Sequence, residues 1–150
     1  MSKITAVYDR ALEVLKELFP LKTRIPYPYA LERNNARFMI DGYGLAVGPA
    51  AFETLETCGF VVNRQLSVVF TRALHRTESS TEEVDQVVKG IMEDVYSVQN
   101  GFYNYSELDI PASIARVDIV DVSSPEEVVS EKESFLSMTA SFNFWIYEKL

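Results

Sequence analysis

The sequence holds one cysteine and one histidine in 150 residues, and these scarcities exclude several kinds of chemistry. Cys58 alone forms no intrachain disulfide and no cysteine-based metal site, which fits a reducing compartment or indifference to redox state. His75 has no second histidine and no nearby cysteine, so neither a zinc site nor a Cys–His nucleophile pair can be built around it. A serine triad would need the same histidine, and no G-x-S-x-G turn presents a nucleophile. No apolar run approaches the roughly 18 residues needed to cross a bilayer. The opening "MSKITAVYDRALEVLKELF" is charged at regular intervals where a signal peptide needs an unbroken apolar stretch. A soluble protein made in the cytoplasm is therefore expected. Positive charge is also in short supply. The net charge of −8 argues against broad nucleic-acid binding, which needs a cationic footprint.

What is present is the composition of a globular chain: 47% hydrophobic and 24% charged residues, within the length of one domain over 1–150. The charge is unevenly distributed. Residues 1–76 carry ten Lys/Arg against seven Asp/Glu, whereas residues 77–150 carry four against fifteen. Such asymmetry suits either a solvated acidic surface or opposite potentials presented to neighbouring copies.

Two helices are expected. Ile4, Val7, Tyr8, Ala11, Leu12, Leu15, Leu18 and Phe19 recur every three or four residues, and Pro20 marks the stop. In "SSTEEVDQVVKGIMEDVYSVQNG", Ser80 and Glu83 have capping-box spacing. Val84, Val87, Val88, Ile91, Met92 and Val95 form the buried stripe, Gly90 suggests close packing on the sheet, and Gly101 suits the exit. Between the helices, Pro26 and Pro28 make an extended connection with Tyr27 and Tyr29 on one side. "RFMIDGYGLAV" reads as a strand bulged at Gly42 and Gly44, and "GPAAFETLETCG" as a loop or short helical turn. "FVVNRQLSVVFTRALHR" reads as a half-buried strand, with a turn or bulge at Asn63-Arg64. After a loop, "FYNYSELDIPAS", comes the strand "IARVDIVDVSS", then the acidic connection "SPEEVVSEKES" and a closing strand. The expected fold is α+β: a mostly antiparallel sheet of four to five strands with two main helices packed on one face.

The closing strand raises a question. Leu136, Met138, Ala140, Phe142, Phe144 and Ile146 share one parity, as a core-facing row should. The other parity is polar until Trp145 and Tyr147. Together with Val117 and Ile119, these are expected on the face opposite the core, as an aromatic contact or beneath a loop of the same chain. Asp118 and Asp121, three apart, should point to opposite faces and not converge on a metal or proton. "GYGLAVGPA" fits no phosphate-binding glycine pattern. No catalytic, cofactor-binding or metal residue emerges.

The order of the amphipathic helix, "RQLSVVFTRAL", "STEEVDQVVKGIMEDV", "SIARVDIVDV" and "FLSMTASFNFWIYE" resembles the tail terminator proteins of long-tailed bacteriophages, also called tail completion or minor tail proteins. The likeness spans most of the chain and is one of size, element order and strand character. It implies a virion protein of the tail or neck, assembled in the host cytoplasm. Such a protein forms a hexameric ring on the head-proximal end of the tail tube and stops tube growth. It offers a docking surface to head-completion proteins and needs no cofactor, catalysis or membrane. Its partners would be its own copies, the tail tube protein and a neck protein, with DNA passing through the lumen unbound. A cyclic ring joins unlike patches. Arg64, Arg72 and Arg76 are therefore expected to face Glu126, Glu127 and Glu131 across subunits, with Trp145 and Tyr147 in the contact. The alternatives are another neck or head-completion protein, or a cytoplasmic ligand-binding or regulatory domain.

Overall fold

A computed structural model describes residues 3–55, 59–74, 80–103 and 114–149. Helix α1 (Lys3–Leu18) leads to a two-residue strand β1 (Thr23–Arg24) and two single 3-10 turns (Leu31–Arg33 and Ala36–Phe38). Strands β2 (Asp41–Leu55) and β3 (Gly59–Leu74) follow, then helix α2 (Thr81–Tyr103) and strands β4 (Ile114–Val122), β5 (Glu126–Ser130) and β6 (Glu133–Lys149). The sheet order is β1-β2-β3-β6-β4, with β5 also paired to β6. The fold is α+β, as expected, but the sheet is mixed and has six strands. The parallel pair is β1 with β2, and the remaining pairs are antiparallel.

Both additions to the sheet have local causes. The chain leaving α1 runs beside Gly42 and Tyr43 just long enough to pair there as β1. β5 lies inside the expected acidic connection. Glu126 and Glu127 are exposed there while their backbone pairs with Ser137 and Leu136. It returns to β6 through Glu131 and Lys132, at φ 51° and 65°. Both central residues of this two-residue turn are left-handed, the geometry of a type I′ hairpin. Glu131 is held in place by its carboxylate, which accepts a hydrogen bond from the Ala36 N–H at 3.3 Å.

Other strand expectations need correction. β2 continues as far as Leu55 into the stretch expected to be a loop or helical turn, and β2 and β3 pair from Asp41–Arg72 to Leu55–Gly59. Its bulge lies between Val47 and Ala50, not at Gly42 or Gly44. Those two glycines instead admit the chain over the second face. A Cβ on Gly42 would meet Phe38 O at 2.4 Å, and one on Gly44 would meet Pro28 Cβ at 2.9 Å. β3 has no turn at Asn63-Arg64, because its pairing with β6 holds one register throughout. Phe102 and Tyr103, expected in the loop at 102–113, belong to α2. The rest of that stretch, with Cys58 and His75, lies outside the described residues.

The main core fills the space between the helices and one sheet face. Val7, Ala11, Val14 and Leu15 of α1 and Ile91, Val95, Val98 and Phe102 of α2 pack on Tyr43, Leu45, Leu66, Val68, Phe70 and the even-numbered β6 residues. Phe102 meets Phe142 and Phe144 edge-on, with centroids 5.0 and 5.8 Å away. Ser80 Oγ accepts the Glu83 N–H, so the expected cap forms. Gly101, by contrast, is inside α2 and not at its exit. It is buried, and a Cβ there would meet Leu18 Cδ1 at 2.9 Å. Met92, expected in the buried stripe, is 55% exposed. On the opposite face Ile25, Ala36, Met39 and Phe135 form a smaller core under the segment between β1 and β2. No helix among the described residues is long and apolar enough to cross a membrane.

Two stability predictions follow from local geometry. Lys132 occupies a left-handed position that costs an L-residue roughly 1–2 kcal/mol, so Lys132→Gly should raise stability in urea melts by about 1 kcal/mol. Burial pushes the Tyr43 phenol above its ordinary pKa, with Arg24 pulling partly the other way. The folded state therefore favours the protonated phenol. The stability linked to it is complete below about pH 10, the ordinary tyrosine value, and is lost as pH rises through the raised folded value. Tyr43→Phe should flatten that alkaline part of the stability profile, measured by denaturant melts between pH 8 and 11.

Candidate functional site

Trp145 and Tyr147 sit on the helix-free face, as their parity requires, but neither is an open aromatic tip. Both are half-buried. The Trp145 indole N–H donates to Asp118 Oδ2 at 2.9 Å across the β4–β6 pair. Lys3 Nζ donates to the Tyr147 carbonyl at 3.1 Å and lies 5.6 Å from the ring centre. The segment bearing Tyr27 and Tyr29 covers the other end of this face. There the two rings meet edge-on at 5.7 Å, and the Tyr29 hydroxyl accepts the Val47 N–H.

β4 departs from simple alternation because its register slips twice, between Ile114 and Arg116 and between Ile119 and Asp121. The second slip sets Asp118 opposite Asn143 and Asp121 opposite Ser141, so both acids share the helix-free face instead of opposing one another. Val117 pairs with Phe144 and is buried in the main core, contrary to its expected place beside Trp145. Ile119 shares the core-side face but lies beyond the helix cover and is 44% exposed.

The expected cations separate into three cases. Arg72 is already compensated within the chain. Its Nη2 donates to Asp94 Oδ2 at 3.1 Å, its Nε lies 3.9 Å from Asp41, and its guanidinium packs where a Gly90 side chain would stand. This bears out the close packing expected at Gly90. Lys22, whose side chain is only 7% exposed, joins both acids: it contacts Asp41 and lies 3.0 Å from Asp94. Arg64 is on the core side of β3 with its Nε buried and without a hydrogen-bond partner. Arg76 lies outside the described residues. Of the expected acids, Glu126 is exposed, Glu127 is exposed with Ser134 donating to it at 3.4 Å, and Glu131 is tied to Ala36. Among the described residues, neither Arg64 nor Arg72 is brought onto the expected acids within one chain.

The large exposed apolar surfaces lie elsewhere. Met92, Tyr96 and Tyr103 follow one another along α2 and are 55%, 67% and 64% exposed, with Ile119 of β4 beside them. Tyr96 and Tyr103 fall off the buried stripe, a signal that reading only that stripe overlooks. Phe52 of β2 is 68% exposed and lies against Phe60 of β3 at 6.0 Å. These two patches flank the two open sides of the sheet. β1 pairs only with Gly42 and Tyr43, so among the described residues β2 has no strand on its outer side beyond them. β4 likewise has no outer partner among the described strands. Because β2 and β4 run antiparallel, one edge is complementary in direction to the other. Among the described residues, no group of three His, Cys, Asp or Glu side chains is placed to hold a metal. The chain matches no protein-family model and no curated protein.

The Lys22–Asp41–Arg72–Asp94 network ties the α1 exit to β2, β3 and α2. Removing one partner of a buried pair costs roughly 3–5 kcal/mol, but Asp41 would still reach both cations. Asp94→Ala should therefore cost less, about 2–3 kcal/mol in a denaturant melt, and Arg72→Met should cost less again.

Proposed function

We propose that this chain is a structural virion protein of the tail-terminator kind. Its copies form a ring, hexameric by resemblance, that caps the head-proximal end of a phage tail tube, ends tube growth and presents a docking surface to a neck protein. The observation that carries this is the pair of open sheet edges. A strand edge with unpaired N–H and C=O groups is a template for another strand. With β4 of one copy laid antiparallel on the β2 arm of the next, each subunit uses two different edges, the heterologous contact that closes into a ring. The exposed Met92, Tyr96, Tyr103 and Ile119 patch beside β4 and Phe52 on the β2 arm supply apolar area for the same contact. Arg64 and the exposed Glu126 and Glu127 remain from the expected ionic set. A pair made on carboxylates as exposed as Glu126 and Glu127 adds roughly 0–1 kcal/mol, so such pairs orient subunits more than hold them.

The helix-free face suits a passage for DNA. Asn63, Gln65, Ser67, Ser141 and Asn143 give it hydroxyl and amide groups, and Asp118 and Asp121 add negative charge. Such a wall offers phosphates little electrostatic attraction. The reaction assigned to the protein is none: it works by shape and contact.

The test is electron microscopy of tails assembled with and without the protein, together with its addition to growing purified tubes. Tails of uniform length in its presence, overlong tubes in its absence, and arrested growth on addition are the expected results. Tubes that elongate unchanged with the protein present would overturn termination. Glu126→Lys with Glu127→Lys should lower the yield of capped tubes severalfold.

A further inference from the structure

A half-open pocket lies between the N-terminal half of α1 and the sheet. Thr5, Val7 and Tyr8 line it from the helix, and Val47, Arg64, Leu66, Phe144 and Ile146 from β2, β3 and β6. Its volume is about 190 Å³. An apolar cavity of about 150 Å³ already takes a benzene ring, so this one has room for a ring with a short arm. Its wall is apolar except for Thr5, the Tyr8 phenol and one guanidinium. That guanidinium is the unusual feature. Arg64 has its Nε buried without a hydrogen-bond partner, and none of the ion pairs among the described residues includes it. A buried donor left unpaired is costly, and a guanidinium fork is matched best by a planar carboxylate bound through two parallel hydrogen bonds.

We infer that this pocket is a binding site for an apolar carboxylate, with the hydrocarbon body against Val7, Val47, Leu66 and Phe144 and the carboxylate on Arg64. A phosphate group fits less well, because a single cation faces it and the rest of the wall offers few donors. The same grouping has two sources: a free aryl- or alkyl-carboxylic acid, or an acidic side chain beside an apolar one on a protein segment. β5 of a second copy has such a pairing, with exposed Glu127 and Val129 on one side of the strand. The site itself does not depend on the ring; only the second source does.

The probe is 3-phenylpropionate, titrated into isotopically labelled protein, with 3-phenylpropanol as its uncharged isostere. Shifts are expected at the amides of Val7, Val47, Leu66 and Phe144, with the acid binding at least about tenfold more tightly than the alcohol, the advantage of a charge-assisted bond. Arg64→Gln should remove that difference while leaving the alcohol's affinity unchanged. A thermal melt checks that Arg64→Gln is folded, and Val47→Phe, which fills the pocket while keeping Arg64, should block both probes. If the acid also lowers tube capping or self-association, the natural occupant is a protein segment. If it binds without affecting assembly, the occupant is a free acid. Absence of shifts at those amides would overturn the inference. So would equal affinity for acid and alcohol, or acid binding unchanged by Arg64→Gln. None of these outcomes bears on whether the protein terminates tubes, which the capping experiment decides separately.

Discussion

The β3–β6 ladder is the constraint on which the rest of this molecule depends. Sixteen consecutive pairs, from Gly59–Lys149 to Leu74–Ser134, hold one register without a bulge. Because side chains alternate, that register alone decides which residues of both strands face the helices. Val62, Leu66, Val68 and Phe70 then share a face with Met138, Ala140, Phe142, Phe144 and Ile146, a surface broad enough for two helices. A slip by one residue would put Trp145, Asn143 and Ser141 into the core and Phe142 and Phe144 into water. Burial of several phenylalanines, each contributing about 1.5–3 kcal/mol, makes that slip prohibitive.

From this centre outward the structure becomes less regular, and the irregularities mark where it meets something else. β2 bulges between Val47 and Ala50, and its arm carries an exposed Phe52 beyond the helix layer. β4 slips twice, which turns both of its aspartates to the helix-free face and leaves Ile119 uncovered beside Tyr96 and Tyr103. Bulges of this kind collect at sheet edges and re-aim side chains. The ion network of Lys22, Asp41, Arg72 and Asp94 does the opposite. It spends charge within the chain, where it fixes α2 against β3. Arg72 and Arg64 both bury an Nε without a hydrogen bond, but among the described residues only Arg72 also has carboxylates beside it.

The helices and central strands were legible in the sequence because their apolar periods are long and uninterrupted. Val7 to Leu15 and Leu136 to Ile146 can be read in only one way. β5 was hidden by Glu126 and Glu127, since charge on an exposed strand resembles charge in a loop. β2 was cut short for a similar reason: just beyond Pro49, Ala51 and Phe52 are exposed, so their pattern follows solvent and not a core. The positions of Asp118 and Val117 were misread because strict alternation cannot anticipate a register slip. Arg72 and Arg64 look alike in sequence, and only the chain's return through α2 brings Asp94 to the first, while the second has no ion-pair partner among the described residues. The aromatic pair at the end of β6 was assigned to the correct face, but its exposure was overestimated, because the indole's partner lies on β4, 27 residues away.

Among the described residues, the shape that results is a sheet closed on one side by helices, partly covered on the other, and open along two antiparallel edges. Edge-to-edge addition of copies is the central physical claim, and it does not depend on any catalytic group. Site-directed disulfides test it most directly. In a Cys58→Ser background, Ala51→Cys on the β2 arm and Asp121→Cys on β4 are mixed on the tail tube and oxidised. The account predicts covalent dimers that need both variants, and a ladder ending in a closed ring when one chain carries both cysteines. Capped tubes that yield no cross-link between these edges would contradict it.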